Sequence, residues 1–418
     1  MGRKLIGYFG GIKMECIRKF MQDSYQAQLK MFAQSKSERY EDAIESYKQI
    51  FLVHLGLVKK DCLDECNYDY TCKHIRAVVN SIQENEVIQF FDELKQVYLD
   101  WINSEIIKAI ERLDKLMNEY GLCDFEKENK ECDVFFKGRV AEQVLTTWDM
   151  FHIPFNKRYL IGNQRFSLTG CPMLYIGSSV IDVAEEIGAN SIENLKISTI
   201  QLPKEGLKIY DLRNNIHEEY IDILLGEFFD IDLNNIYNKA NFFKMILCSV
   251  CSFKKRQDIK GFTFCEEYVI PQILAQILKG KGFKGIAYYS TKRYNQLTFD
   301  NMNENDMDNV EFKENIAIFT ELNEEHVYDK NLYDTITMSV PIDIKKIYNI
   351  KFSDLEEIKN EIALTEDQEK ITFAETVCSS FNRTYKSMKI NDKLYVDTDY
   401  GKLHLYELYT VLNDILVA

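Results

Sequence analysis

The sequence is poor in proline and glycine. It has 5 prolines and 18 glycines in 418 residues, which leaves little room for flexible linkers between domains. No run of about 18 apolar residues occurs, so no membrane-spanning helix is predicted. The segment 1–16 has neither a long apolar stretch nor the small-residue cleavage site of a secretory signal. We therefore expect a cytoplasmic protein with no membrane partner.

An excess of positive charge is also missing. The chain has 51 Lys and Arg against 66 Asp and Glu, a net charge of −15. This balance argues against a protein held on nucleic acid by phosphate contacts alone, so nucleic acid is not an expected partner. Neither a glycine-rich phosphate loop before a helix nor a His-Glu-x-x-His motif is present, and two common enzyme classes lose support. Most of the 11 cysteines should be free thiols in a reducing compartment.

What is present is the composition of a globular protein. Hydrophobic residues make up 46% and charged residues 28% of the chain. Its length predicts two or three domains. The 25 Tyr and 26 Phe residues indicate that cores or pockets are rich in aromatic rings.

The N-terminal third is predicted to be helical. Apolar residues recur at three- and four-residue steps over 84–121, and Gly121 is a plausible helix stop. An earlier helix is predicted over 40–54. These patterns favour an α-helical regulatory or interaction domain over 1–130 with a core of its own, ending in the charged segment 123–133. Such a domain should not build the functional pocket.

Three cysteines and a histidine in this region are metal-ligand types. Cys62, Cys66, Cys72 and His74 fall within thirteen residues, and three thiols with an imidazole can hold zinc. The spacing is not that of a zinc finger, and a second Cys-x-x-Cys pair is missing. A polar loop with free cysteines is the alternative, and no metal site is assigned.

After residue 133 the pattern changes to short strands and helices. Met173–Gly177 is a predicted strand, and Ser178 or Ser179 is a good N-cap for the next helix. Glu185 and Glu186 fall on opposite borders of the apolar face of that helix, so helical geometry does not choose between them.

A second unit of helix and strand lies at 265–291. Pro271 suits the first turn of a helix, and Gly280 and Gly282 end it. The strand that follows ends on Ser290. Because ligand sites in α/β layers often collect at strand ends, Ser290 is well placed for chemistry.

These two units carry a family resemblance. "GNQRFSLTGCPMLYIGSSVIDVAEEI" and "EYVIPQILAQILKGKGFKGIAYYS" resemble the two signature blocks of the RES domain family, named for its arginine, glutamate and serine. The resemblance covers roughly 133–350. It implies an α+β protein with an ADP-ribosyltransferase-like mixed core over 133–350. This chain departs from the usual member by a helical domain before the core, similar to that of some larger relatives, and by a C-terminal extension, 351–418, which is expected to pack on the core. Members of the family are toxins that degrade NAD⁺ or transfer its ADP-ribose.

The resemblance also implies site residues. Its glutamate directly precedes an aliphatic residue, which selects Glu186 before Ile187. Lys137 stands where the family's opening motif usually has an arginine, and this departure weakens that part of the match. The resemblance implies that Glu186, Arg165 and Ser290 are catalytic and that Arg139, Arg165, Tyr175 and Ser290 bind NAD⁺.

The chemistry of NAD⁺ cleavage suits these residue types. The nicotinamide–ribose bond breaks through an oxocarbenium-like transition state, as in glycoside hydrolysis. Nicotinamide is already a cationic leaving group, so neither a general acid nor a metal is required. An arginine can clamp the diphosphate, a tyrosine can pack against a ring, and a carboxylate can stabilise the developing cation.

The leading expectation is a toxin-like NAD⁺ glycohydrolase or phosphorylase that depletes NAD⁺ and arrests growth, in antiphage defence or a toxin–antitoxin setting. One alternative is an ADP-ribosyltransferase that modifies a protein or nucleic acid. A second is a catalytically inactive module that senses NAD⁺ or ADP-ribose. An antitoxin or other regulatory partner, or a second copy of the chain, would bind through the helical domain.

Overall fold

The computed structural model describes most of the chain. The described residues are 17–61, 69–129, 133–189, 191–214, 231–256, 264–291, 314–347, 350–390 and 392–417, with 216, 222, 223, 225, 226, 228 and 229. They form a helical N-terminal region, a mixed eight-stranded sheet and a helical C-terminal region. The predicted α+β class and the helical N-terminal region are confirmed.

The N-terminal region has six described helices before the first strand. The predicted helix over 40–54 is present and longer, whereas the segment 84–121 is divided in two. Ser104 has a φ of +65° at the break, a backbone conformation that a helix cannot contain. Gly121 ends the second helix with a φ of +68°, as predicted. The bounds are α1 Ile17–Met21, α2 Asp23–Ser35, α3 Tyr40–Asp61, α4 Asp69–Ser81, α5 Glu84–Ile102 and α6 Ile106–Glu119.

The eight-stranded sheet has the order β1-β5-β6-β7-β3-β2-β4-β8. Its β5–β6 pair is parallel and its other pairs are antiparallel. The predicted strand over 173–177 is confirmed, and the predicted strand before Ser290 ends one residue short of it. The strands are β1 Glu126–Lys127, β2 Val134–Val140, β3 Met173–Gly177, β4 Leu195–Gln201, β5 Ile209–Asp211, β6 Gly285–Tyr289, β7 Glu314–Phe319 and β8 Thr337–Met338.

Helices lie between and after these strands. A small two-stranded hairpin, β9 Lys389–Ile390 with β10 Lys393–Leu394, separates the last two helices. The helices are α7 Thr147–Met150, α8 Val180–Ile187, α9 Lys239–Cys251, α10 Val269–Gly280, α11 Lys330–Thr335, α12 Phe352–Ala363, α13 Gln368–Tyr385 and α14 Asp399–Val417. No helix of the described residues combines the length and the apolar character needed to cross a membrane.

Both faces of the sheet are covered by other elements. Its strand register places Tyr175, Gly177, Tyr288 and Asn315 on one face, here called the front face. The back face carries a separate apolar cluster that includes Phe135 and packs against the region of α7 and α11.

The N-terminal helices share their core with the front of the sheet. One continuous apolar cluster runs from the N-terminal helices through α9 and α10 to Tyr210 and Ile286. The rings of Phe51 and Phe242 lie 6.0 Å apart, and the Tyr210 hydroxyl donates to the Leu122 carbonyl at 2.7 Å. The prediction of a separate N-terminal core is therefore wrong. Helix α9 is buried from 241 to 251 without a solvent-facing side, so it needs helices on one side and the sheet on the other.

The C-terminal helices cover the other half of the front face. α12, α13 and α14 form an apolar cluster with α8, β2 and β4. The His404 ring of α14 lies 4.6 Å from the ring of Phe136. This packing holds α8, the helix that carries both candidate glutamates.

Candidate functional site

The turn from β3 into α8 is built by local signals in the sequence. The Ser179 hydroxyl accepts a hydrogen bond from the Asp182 amide, which confirms the predicted N-cap, and Gly188 ends the helix with a φ of +67°. Gly138 of β2 lets the helix lie close, because a Cβ there would stand 2.5 Å from the Val183 side chain. The close approach determines how α8 is rotated on the sheet.

This rotation separates the two glutamates. Glu186 Oε1 accepts hydrogen bonds from the Ser290 hydroxyl and, at 3.2 Å, from the Asn315 amide. Glu185 lies toward α14 instead, where burial, and secondarily the Glu185 carboxylate, raise the pKa of Tyr400. The structure therefore brings Glu186, and not Glu185, to Ser290.

Arg165 lies close to Ser290 and is almost buried, with 8% of its surface exposed. Arg165, Glu186, Ser290 and Asn315 are here called the Glu186 cluster. Its Nη1 donates to the carbonyls of Cys251 at 2.7 Å and Phe253 at 3.0 Å. Its Nη2 donates to the Thr291 hydroxyl at 3.0 Å. Thr291 follows Ser290, so Arg165 is linked through one residue to the serine that binds Glu186.

Arg165 forms no ion pair within the described part of the chain. No carboxylate of the described residues lies within ion-pair distance of it, and its Nε hydrogen and one Nη2 hydrogen have no partner there. A buried cation without a counter-charge is costly unless a ligand supplies one. Because both Nη1 hydrogens and one Nη2 hydrogen are used, the Nε hydrogen and the second Nη2 hydrogen remain for an anion.

Tyrosine rings surround this pair of charges. Tyr175 of β3 and Tyr288 of β6 point from the front face, and the Tyr268 ring lies 5.0 Å from the Arg165 guanidinium. Burial raises the pKa of all three hydroxyls. For Tyr268 and Tyr288 the Glu186 carboxylate adds to this rise and Arg165 opposes it, so both rings lie within electrostatic reach of both charges.

One residue of the N-terminal region lies close to Arg165. Asp23 of α2 lines a small cavity together with Arg165, Cys251 and Tyr288. Burial raises the pKa of Asp23 to about 6 and lowers that of nearby Lys30 to about 8. Asp23 thus lies before residue 123 and close to Arg165, while the prediction that this region does not build the pocket stays a prediction.

The structure does not bring Arg139 to this cluster. Gly138 faces α8, so alternation along β2 directs Arg139 to the back face. There Arg139 is exposed and its Nη1 donates to the Asp149 carbonyl. Its neighbour Lys137 has a pKa lowered to about 8 by burial and by the Arg139 charge. A role for Arg139 in binding NAD⁺ stays a prediction.

Most of the predicted zinc-ligand candidates lie outside the described residues. This holds for Cys62, Cys66 and the side chain of Cys72. The His74 ring is described, and its Nε2 lies 2.8 Å from the Tyr237 carbonyl oxygen. Within the described ranges no group of three or more His, Cys, Asp or Glu side chains could hold a metal ion.

Sequence reasoning missed Tyr268 and Asn315. Tyr268 lies in the second helix–strand unit, directly before its helix, so an aromatic residue at that position was a usable signal. Asn315 offered none, because its contact with Glu186 depends on the pairing of β7 with β3 across 138 residues of chain.

Comparison with known proteins gives one partial similarity. The chain is 37% identical over 175 residues to a protein of Bacillus subtilis (strain 168) described as "Putative toxin YopC". The match covers 40% of this chain and 38% of that protein. No model of a protein family matches the chain, and no solved structure matches it.

Proposed function

We propose that this protein is a toxin-like enzyme that cleaves the nicotinamide–ribose bond of NAD⁺, with a RES-type core of ADP-ribosyltransferase-like fold. One observation carries the proposal: a buried arginine without a carboxylate partner among the described residues lies beside a glutamate held by a serine. The name of the B. subtilis protein supports the toxin part, for the 38% of its length that is matched.

Arg165 would bind the anionic part of the substrate. The hydrogens of Nε and Nη2 that have no partner among the described residues can donate to a phosphate, a group that arginine binds well. A diphosphate would supply the missing counter-charge. The ring of Tyr268 packs on the guanidinium and keeps it in place.

Glu186 would act on the ribose. As the bond to nicotinamide breaks, the electron pair leaves with the neutral nicotinamide and the ribose C1 becomes cationic. The carboxylate stabilises that charge, and water, phosphate or an acceptor group then attacks the same carbon. Ser290 holds the carboxylate by its hydrogen bond to Oε1, and the rings of Tyr175 and Tyr288 provide apolar surface for nicotinamide.

Release of nicotinamide is the direct test. The full chain is incubated with NAD⁺, with and without phosphate, and nicotinamide and the ribosyl product are separated by chromatography. ADP-ribose as product indicates hydrolysis, and its 1-phosphate indicates phosphorolysis. Labelled NAD⁺ with cell lysate shows whether the label is transferred to a macromolecule instead. Binding of NAD⁺ with no turnover under any condition would contradict the enzyme and leave a sensing module.

A further inference from the structure

We propose that Asn315 is a positioning residue for Glu186, and that Gly177 provides the space that Asn315 needs. The inference rests on the proposed function, since it gives Asn315 a part in the same reaction. Asn315 is 4% exposed and lies in β7, where it pairs with Gly177 of β3 on one side and Tyr288 of β6 on the other.

Two donors from different parts of the chain meet on a single oxygen of Glu186. The Ser290 hydroxyl comes from the end of β6 and the Asn315 amide from the start of β7, and both donate to Oε1. One hydrogen bond leaves a carboxylate free to swing, whereas two donors from different directions restrict its rotation. The second oxygen is then held in one orientation toward the ribose.

The orientation of the Asn315 amide is set by this arrangement. Its Nδ2 lies 3.2 Å from Glu186 Oε1. A flipped amide would place its oxygen against the carboxylate oxygen, which is repulsive. The Oδ1 atom therefore points toward the backbone of β3, beside Gly177.

Gly177 is the residue that permits this approach. A Cβ at position 177 would stand 2.8 Å from Asn315 Oδ1 and 2.9 Å from the Val183 side chain of α8. Both distances are shorter than normal contacts. A side chain at 177 would therefore push Asn315 away from Glu186 or lift α8, which carries Glu186.

The test uses two variants and one control. Asn315→Asp keeps the shape of the side chain but places a second carboxylate beside Glu186. Two interacting carboxylates share their protons, so the acid limb of the pH–rate profile should move up by about one pH unit or more. We expect kcat to fall about tenfold or more with little change in KM. Gly177→Ala should lower kcat in the same way without altering Asn315 itself.

Asn129→Asp is the matched control. Asn129 is a buried asparagine whose amide donates to the Leu207 carbonyl at 3.0 Å, outside the Glu186 cluster. A carboxylate at position 129 can lower stability, but the acid limb of the pH–rate profile should stay at the same pH as in the unmodified protein. Gly177→Ala adds no charge, so a purely structural role for Asn315 predicts that its kcat and acid limb stay those of the unmodified protein.

A second readout does not need turnover. NMR titration of ¹³C-labelled glutamate carboxyls, with the Glu186 signal identified by its loss in Glu186→Gln, reports ionisation of Glu186 directly. A shifted midpoint in Gly177→Ala, which adds no charge, supports the positioning role, even if the protein does not cleave NAD⁺. An unchanged Glu186 titration in whichever of the two variants folds overturns it, even if NAD⁺ is cleaved.

Discussion

Replacement of Glu186 by glutamine should remove a charge and little else. Ser290 and Asn315 both donate to Oε1, an atom that glutamine retains, so both hydrogen bonds can persist. The fold and the affinity for NAD⁺ should be nearly unchanged. The transition state loses the counter-charge for its oxocarbenium ion, which is worth more there than in the bound substrate. By analogy with removal of one electrostatic stabiliser, the loss should be about 2.7–4 kcal/mol, or roughly 10²–10³ in rate.

The neighbouring glutamate supplies the control for this prediction. Glu185→Gln makes the same chemical change on the same helix, but on the side that faces Tyr400. Turnover is measured as nicotinamide release at saturating NAD⁺, and binding by calorimetry, for both variants under one condition. We expect Glu185→Gln to retain its rate. Loss of turnover in Glu185→Gln with normal turnover in Glu186→Gln would refute the assignment of Glu186 as the catalytic carboxylate. Normal turnover in both variants would refute it as well.

The same contacts lead to three further predictions. Arg165→Ala should weaken NAD⁺ binding more than it lowers the rate of bound substrate, because a phosphate contact exists in both ground and transition states; an unchanged dissociation constant would contradict this. Burial raises the pKa of Asp23 from 3.8 to about 6, so the folded state retains a proton that the unfolded state releases, and stability from this group falls as pH rises through about 4 to 6. Asp23→Asn should therefore gain stability relative to the unmodified protein across that window in urea unfolding, and a constant difference would argue against it. Deletion of 1–122 should give a fragment that does not fold alone, since it uncovers the apolar side of α9; a cooperative thermal transition in that fragment would show otherwise.

Local features of the fold could be predicted from the sequence. The strand before Ser179, the cap at Ser179 and the helix stop at Gly121 each depend on a few adjacent residues. The break at Ser104 also left a signal in the periodicity. The step from Trp101 to Ile106 is five residues, which places the two side chains on different faces of a continuous helix.

The site was predictable only where its residues lie in the two helix–strand units. Arg165, Tyr175, Glu186 and Ser290 lie in those units, and the structure brings them together at the front face of the central strands. Arg139 is predicted to join these residues only because of the motif in which it lies. The glycine beside it decides its direction, because Gly138 must face α8 and alternation then turns Arg139 to the other face.

Sequence periodicity could not predict that the N-terminal helices and the sheet share one core, and the reason is physical. Apolar residues at helical spacing show that a helix has a face to bury, but not which element covers it. The helices before residue 123 and the sheet are separated in the chain, and α9 joins their cores with its own fully buried surface. The same packing places Asp23 beside Arg165. Lys30 donates to Ser252 at 2.5 Å, and Arg165 binds the carbonyls of Cys251 and Phe253 on either side of that serine. The helical region and Arg165 therefore contact the same short segment, 251–253, and this link depends on packing that periodicity does not record.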